Sequence, residues 1–143
     1  MSWADVFTSF DGRLTRKPFW IAFLCLLLPE MLAHLATDQR GTSVVSLLLA
    51  YPQFAVFTKR GRDRDVPAWV PGLFIAGGAV LDLMVLLDLI GPLTQPNALF
   101  YALGVPVAVM GLVLLADFGF RRGTVGPNRY GRDPLEPHRV GMG

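Results

Sequence analysis

Charge is scarce in this chain. Asp, Glu, Lys and Arg make up 17% of its 143 residues, against roughly a quarter in an average soluble domain. A single cysteine, Cys25, excludes a disulfide framework, and the surplus of apolar residues excludes a disordered chain. Also missing are a glycine-rich phosphate loop with a following Lys and Ser/Thr, paired metal ligands and an H-E-x-x-H helix. No cofactor or metal is therefore implied, and an enzyme would lack a visible nucleophile–base or metal constellation. No segment alternates with the period of a barrel strand. What is abundant is hydrocarbon: 52% of the residues are hydrophobic, and the mean hydropathy is +0.46.

The apolar residues are gathered into runs. Gly41 to Thr58 holds no charged residue, Val66 to Ala116 holds only Asp82 and Asp88, and Pro18 to Thr37 holds only Glu30 besides His34. A soluble amphipathic helix shows a polar face every three to four residues, whereas these runs are apolar all round, so their surroundings are protein interior or lipid. Four spans follow, over about 19–36, 41–58, 68–90 and 98–120. Each is near the length that a roughly 30 Å hydrocarbon core requires at about 1.5 Å per residue. The last two are joined by Gly91–Asn97, whose glycine and prolines mark a tight turn. Burial in a soluble helical core is the competing reading, but four adjacent spans leave almost no polar face for water. The first run carries Glu30 and lacks a small-x-small cleavage pattern, so it is expected to stay in the membrane. The expected fold is an all-α integral membrane protein, one membrane domain of four transmembrane helices.

The formal net charge of +2 and a pI near 9.0 acquire meaning from position. Arg13, Arg16 and Lys17 precede the first span, and the first loop holds Arg40 alone. The second loop holds Lys59, Arg60, Arg62 and Arg64, the third holds none, and the tail 121–143 holds Arg121, Arg122, Arg129, Arg132 and Arg139. Twelve positive residues thus fall on one side of the spans and one on the other. Short basic loops stay in the cytoplasm, so both termini and the second loop are expected there, and a nucleic-acid partner becomes superfluous. Within segment 2–18, Trp3, Phe7 and Phe10 recur at i, i+4 and i+7. They predict a short amphipathic helix, lying in the cytoplasmic headgroup layer or packed on the bundle's own end. Phe19, Trp20 and Trp69 fall where an aromatic belt belongs.

Three motifs occur in order around these spans. Phe10-Asp11-Gly12-Arg13-Leu14-Thr15-Arg16-Lys17-Pro18-Phe19-Trp20 resembles the F-x-G-R-x-S/T-R-x-x-F-W opening of a family of small bacterial inner-membrane proteins, the YhaH-like proteins of domain of unknown function 805. Pro52, Lys59-Arg60-Gly61-Arg62-Asp63 and Trp69 resemble its second-loop motif, P…R-R-L-H-D…W. The stretch from Gly123-Thr124 through Asn128-Arg129-Tyr130-Gly131 to Asp133-Pro134 is similar to its G-T-x-G-x-N-R-Y/F-G-x-D-P tail. The resemblance covers nearly the whole chain and implies a four-helix inner-membrane protein without implying an activity. Gly61 and Arg62 stand where the family usually has Leu and His, and Pro67-Ala68 replaces Ser-Gly. Any proton handling by that His is closed to Arg62, which does not deprotonate near neutral pH. Pro18 replaces a common Glu that would complete a capping box with Thr15, so Thr15 is expected to cap the first span alone.

Two groups of residues are candidates for function. An ionised group in hydrocarbon costs at least about 2.5–3.5 kcal/mol, which singles out Glu30, His34, Asp82, Asp88 and Asp117. Glu30 and His34 share a helix face and can bond each other, Asp82 and Asp88 lie about 120° apart, and Asp117 precedes Arg121 by four residues. One reading has Glu30, His34 and Asp82 lining a proton or cation path in a small transporter. The favoured reading has them hydrated or paired, with Asp82 alone buried. The second group is Arg13, Arg16, Lys59, Arg60, Arg62, Asp63, Trp69, Arg121, Arg122, Asn128, Arg129 and Tyr130, expected to meet on the cytoplasmic face. There Asp63 and Asp65 pair with tail arginines to lock loop to tail, or the cluster binds an anionic phospholipid headgroup or a membrane-protein partner. Gly104-x-x-x-Ala108, Gly111 and Gly72-x-x-x-Ala76 offer small faces for packing within the chain or in a homo-oligomer. The leading expectation is a non-enzymatic accessory protein of the bilayer, with transport the alternative.

Overall fold

The structure is a computed structural model and describes residues 2–92 and 94–136. Leu93 of the third loop and Arg139 of the tail, both counted above, lie outside the described residues. Five helices follow in order: α1 Trp3–Thr8, α2 Arg16–Ala36, α3 Gln39–Asp63, α4 Trp69–Leu86 and α5 Ala98–Phe120. Among the described residues the only strand-like pairing is an isolated bridge between Asn128 and Gly131. The helices α2 to α5 are each long and apolar enough to cross a bilayer. Their connections are short, so they run up and down, and α3 is the spine, touching every other helix. Leucines, valines and isoleucines cover the outside. Leu28, Leu48 and Leu112 are exposed, a surface that only lipid satisfies.

The helix ends explain where the elements stop. α1 is too short to persist alone and is held at both ends. Ser2 and Asp5 form a reciprocal capping box. The Ser2 hydroxyl, lying beside the carboxyl, and the Ser2 N–H, which donates to it, hold Asp5 below the usual carboxylate range. At the other end Lys59 Nζ donates to the Asp5 carbonyl, and Tyr51 Oη donates to the Thr8 carbonyl at 2.8 Å. Phe10 falls outside α1, so the expected aromatic stripe does not continue. Val6 is buried in the bundle, and Phe10 packs on Tyr51 and Phe54 of α3. α2 departs from expectation too. Thr15 occupies its N-cap, yet its side chain accepts no cap hydrogen bond. Pro18 is the third helical residue, and a proline has no N–H for the threonine to accept.

α3 runs five residues beyond the apolar stretch, so most of the expected second loop is helix. It closes in a Schellman motif: Val66 N–H donates to the Gly61 carbonyl at 2.8 Å and Asp65 N–H to that of Arg62 at 3.2 Å, with Asp65 at φ +58°. α4 closes the same way. Asp88 sits at φ +57°, with Leu89 N–H on the Met84 carbonyl at 2.9 Å. Of the four prolines of the spans, Pro29, Pro52 and Pro106 lie inside helices, while Pro71 lies in the first turn of α4, where no backbone bond is lost.

The core gathers at the basic end. Phe19 of α2, Phe57 of α3 and Phe118 of α5 form a mutual aromatic cluster with ring centroids 5.6 to 6.4 Å apart, flanked by Phe74 of α4. Each such pair contributes roughly 0.5–1.5 kcal/mol beyond its area. Some small residues serve contacts within the chain: a Cβ on Gly111 would lie 2.7 Å from Phe74, and one on Gly77 would lie 2.6 Å from Val107, whereas Ala76 and Ala108 are exposed. Cys25 is exposed on the outside of α2 rather than packed within the bundle.

Candidate functional site

Four charged side chains are buried at the basic end: Lys59, whose Nζ donates to the Asp5 carbonyl, and three that meet one another. Arg13, Arg60 and Asp63 are at most 5% exposed. Arg13 sits between α1 and α2, while Arg60 and Asp63 are one turn apart on α3. Arg13 uses all of its donor capacity. Its Nε reaches Asp63 Oδ1 at 3.2 Å; Nη1 reaches the Gly126 and Gly131 carbonyls at 2.9 and 3.3 Å; Nη2 reaches the Thr124 carbonyl and Oγ1 at 2.6 and 3.0 Å. Arg60 donates to Asp63 Oδ2 and to the carbonyls of Phe118, Arg121 and Leu14, at 2.6, 2.6 and 3.3 Å for the carbonyls. Asp63 thus pairs with Arg13 and Arg60, which corrects the expected pairing with tail arginines. The tail reaches Asp63 through its backbone instead: Thr124 N–H donates to the Asp63 carbonyl at 2.7 Å.

Three buried cations against one carboxylate leave a positive excess; Lys59 spends its donor on the Asp5 carbonyl of α1, and the end of α5 answers the arginines. A helix C-terminus carries about half a negative charge on unsatisfied carbonyls. Here the carbonyls of residues 118 to 122 are all taken: Phe118 and Arg121 by Arg60, Gly119 by Trp20 Nε1 at 3.0 Å, Phe120 by Arg16 at 3.2 Å, and Arg122 by Arg64. Two elements distant in sequence, the start of α2 and the end of α3, therefore cap one helix end. Nothing in the local periodicity of the sequence announces this.

The remaining candidates of this group extend the same assembly. Arg62 donates to the Phe10 carbonyl and lies 5.4 Å from the Tyr130 ring, which Arg129 covers from 4.8 Å. Arg129 pairs with Asp65 at 3.0 Å. Asn128 donates to the Arg62 carbonyl at 2.8 Å and accepts from Tyr130 N–H at 2.9 Å. Asp133 accepts from the N–H groups of Leu135 and Gly126, both at 2.9 Å, and these bonds hold its carboxyl below the usual range. Trp69 does not join them. It opens α4 with 65% of its surface exposed, a place suited to a membrane-interface aromatic. Arg122 joins through its carbonyl only, and Arg121 through Asp117 at 3.1 Å.

The five candidates of the intramembrane group separate. Glu30 accepts from Gln53 Nε2 of α3, so the expected Glu30–His34 bond is replaced, and His34 is exposed. Asp82 of α4 meets the hydroxyls of Ser46 and Ser43. Asp88 lies past the end of α4, paired with Arg40 at the opposite end of the bundle. Asp117 belongs to the basic end, held by Arg64 at 3.2 Å as well as by Arg121. Only Glu30 and Asp82 converge, on a polar stripe of α3 formed by Ser43, Ser46 and Gln53. That stripe was readable as polar residues at positions 43, 46 and 53 of an otherwise apolar run. Beside it is a cavity of about 40 Å³ between α3 and α4, lined by Ser46, Gln53 and Asp82 among apolar residues. It has room for a water or two. Among the described residues no cluster of His, Cys, Asp and Glu is placed to hold a metal ion.

Comparison with known proteins agrees with this architecture. The chain is 26% identical over 142 residues to the inner membrane protein YhaH of Escherichia coli strain K12 and equally to that of E. coli O157:H7, with 92% of each chain covered. No solved structure matches. The relatives and the four apolar helices make this a multi-pass protein of the bacterial inner membrane. The family model described as "Protein of unknown function (DUF805)" matches residues 7–132, from α1 through the Tyr130 loop, and the chain accordingly belongs to the DUF805 family.

Proposed function

We infer that the chain is a non-enzymatic accessory protein of the inner membrane. In this reading both termini and the α3–α4 connection face the cytoplasm, and the basic face contacts anionic lipid. The observation that carries it is the division of the basic residues into two sets. Arg13, Arg60, Arg62 and Arg64 are engaged by the chain's own carbonyls and carboxylates, which builds a rigid cytoplasmic cap. Arg16, Lys17 and Arg122 are exposed, and no carboxylate among the described residues pairs with them. The first set suits architecture and orientation; the second suits headgroup phosphate, at about 1 kcal/mol per basic residue near the surface.

Arg60→Ala and Asp63→Ala separate architecture from partner recognition. Removing one member of a buried pair costs about 3–5 kcal/mol. Both variants should therefore lose the monodisperse folded form in detergent. A folded Arg60→Ala protein that has merely lost a co-purifying protein would overturn the architectural reading.

The convergence of Glu30 and Asp82 on α3 supports a second reading, proton- or cation-coupled transport. Against it stands the Phe19–Phe57–Phe118 cluster, which packs the bundle between that cavity and the basic end. A pH-dependent flux in liposomes that is abolished by Glu30→Gln or Asp82→Asn would establish transport; no flux in the unmodified protein would dismiss it.

A further inference from the structure

We propose that the seam between α2 and α5 at the basic end is a binding site for one anionic phospholipid, with its phosphate held by Arg16, Lys17 and Arg122. This deepens the reading of a lipid-contacting basic face by assigning the contact to one place. Arg16 and Arg122 line the same cleft, between the start of α2 and the tail. Arg16 makes a single 3.2 Å bond to the Phe120 carbonyl, which leaves most of its guanidinium donors open. Arg122 and Lys17 are exposed without a carboxylate partner among the described residues. Two acids also line the cleft. Asp63 is already neutralised by Arg13 and Arg60, and the Asp133 oxygens are taken by backbone N–H groups. Two cations in the cleft then face one occupied carboxylate, Lys17 is the next residue after Arg16 on α2, and the balance favours an anion.

The surface beneath specifies what carries that anion. Phe120, whose carbonyl accepts from Arg16, is 70% exposed and meets Trp20 edge-on at 5.6 Å. From Lys17 the outward stripe of α2 continues as Ile21, Leu24 and Leu28, all exposed, at the spacing of one helix face. A soluble anion would use only the top of this surface, and a soluble protein would meet bare hydrocarbon beside it. A phospholipid matches both halves, with phosphate on the guanidinium forks and acyl chain along the stripe.

The test is native mass spectrometry of the full chain exposed to phosphatidylglycerol and phosphatidylcholine. The wild type should retain phosphatidylglycerol preferentially. Arg16→Gln/Arg122→Gln should weaken that retention on the order of tenfold, and Arg132→Gln should not. Lys17→Gln/Arg122→Gln, which breaks no side-chain hydrogen bond or ion pair among the described residues, should show the same loss and guards against misfolding of the first variant. Unchanged preference in both double variants would overturn the seam as the site while the basic-face reading stands. Absence of any preference in the wild type would overturn both. Displacement of the lipid by inorganic phosphate would replace it with a soluble anion and overturn the lipid assignment.

Discussion

At the scale of single residues, Gly123 shows how tightly the cap is built. A Cβ there would lie 2.1 Å from Asp63 Oδ2 and 2.5 Å from its Cγ, so the buried carboxylate rests on bare backbone. Gly126 is glycine for another reason: φ is +77°, with open space around a would-be Cβ. Gly123→Ala should therefore destabilise by about 3 kcal/mol, because it displaces the Asp63 carboxylate from both arginines. Gly126→Ala should cost only about 1–2 kcal/mol of left-handed strain. Thermal unfolding in detergent would separate the two. Asp133 adds a pH signature. Its carboxyl lies below the usual range in the folded tail and titrates near about 3.9 when released. Its contribution is complete above that pH and fades as the pH falls through the folded value. Hydrogen exchange at the Gly126 and Leu135 amides, corrected for intrinsic rate, should show protection lost below about pH 4. In Asp133→Asn protection should be low and independent of pH.

At the scale of elements, two helix starts lack a side-chain cap: that of α4, where Ala68 has none to offer, and that of α2, where Thr15 does. Ser2, Asp38 and Asn97 cap α1, α3 and α5 through their side chains, whereas Thr15 has no partner. Pro18→Ala restores the missing N–H donor, and Pro18→Glu adds the reciprocal carboxylate of a capping box. Both should raise the unfolding midpoint, Glu more than Ala, with a gain of about 1 kcal/mol for Glu. An unchanged or lowered midpoint for Pro18→Glu would show that the proline's restriction of the unfolded chain outweighs the cap. α3 carries a related lesson. Hydropathy ends its span at Thr58, because Lys59, Arg60, Arg62 and Asp63 read as a solvated loop. The helix continues to Asp63 because α1, the end of α5 and the tail cover those charges and bond them. Beyond the Arg60–Asp63 pair within the turn itself, contacts from residues more than forty positions away make this buried charged turn tolerable.

At the scale of the whole molecule, the proposed orientation has a direct check. Val125 is exposed in the tail and outside the capping network. In a Cys25→Ala background, Val125→Cys should react with a membrane-impermeant maleimide only after the inner membrane is opened. A cysteine at Pro96, in the α4–α5 turn, should react in intact spheroplasts. The reverse pattern would invert the topology argued from twelve positive residues on one side and one on the other.

Four helices, their approximate limits, the basic asymmetry and the family resemblance follow from the sequence alone. Each depends on local composition: a run without charge has no low-energy place but lipid, and a helix is the local way for it to satisfy its backbone there. Glu30 and Asp82 were legible as expensive groups in hydrocarbon, and Arg60, Asp63, Asn128 and Tyr130 as parts of motifs. Their partners were not. That Asp63 takes Arg13 and Arg60, that Glu30 takes Gln53 rather than His34, and that Asp88 merely ends α4 depend on which faces meet across the bundle. The division of arginines into a buried cap and an open rim was decided in the same way. Residues of one charge look alike in sequence, and only the packed tertiary structure determines which of them find carbonyls and carboxylates within reach and which are left exposed.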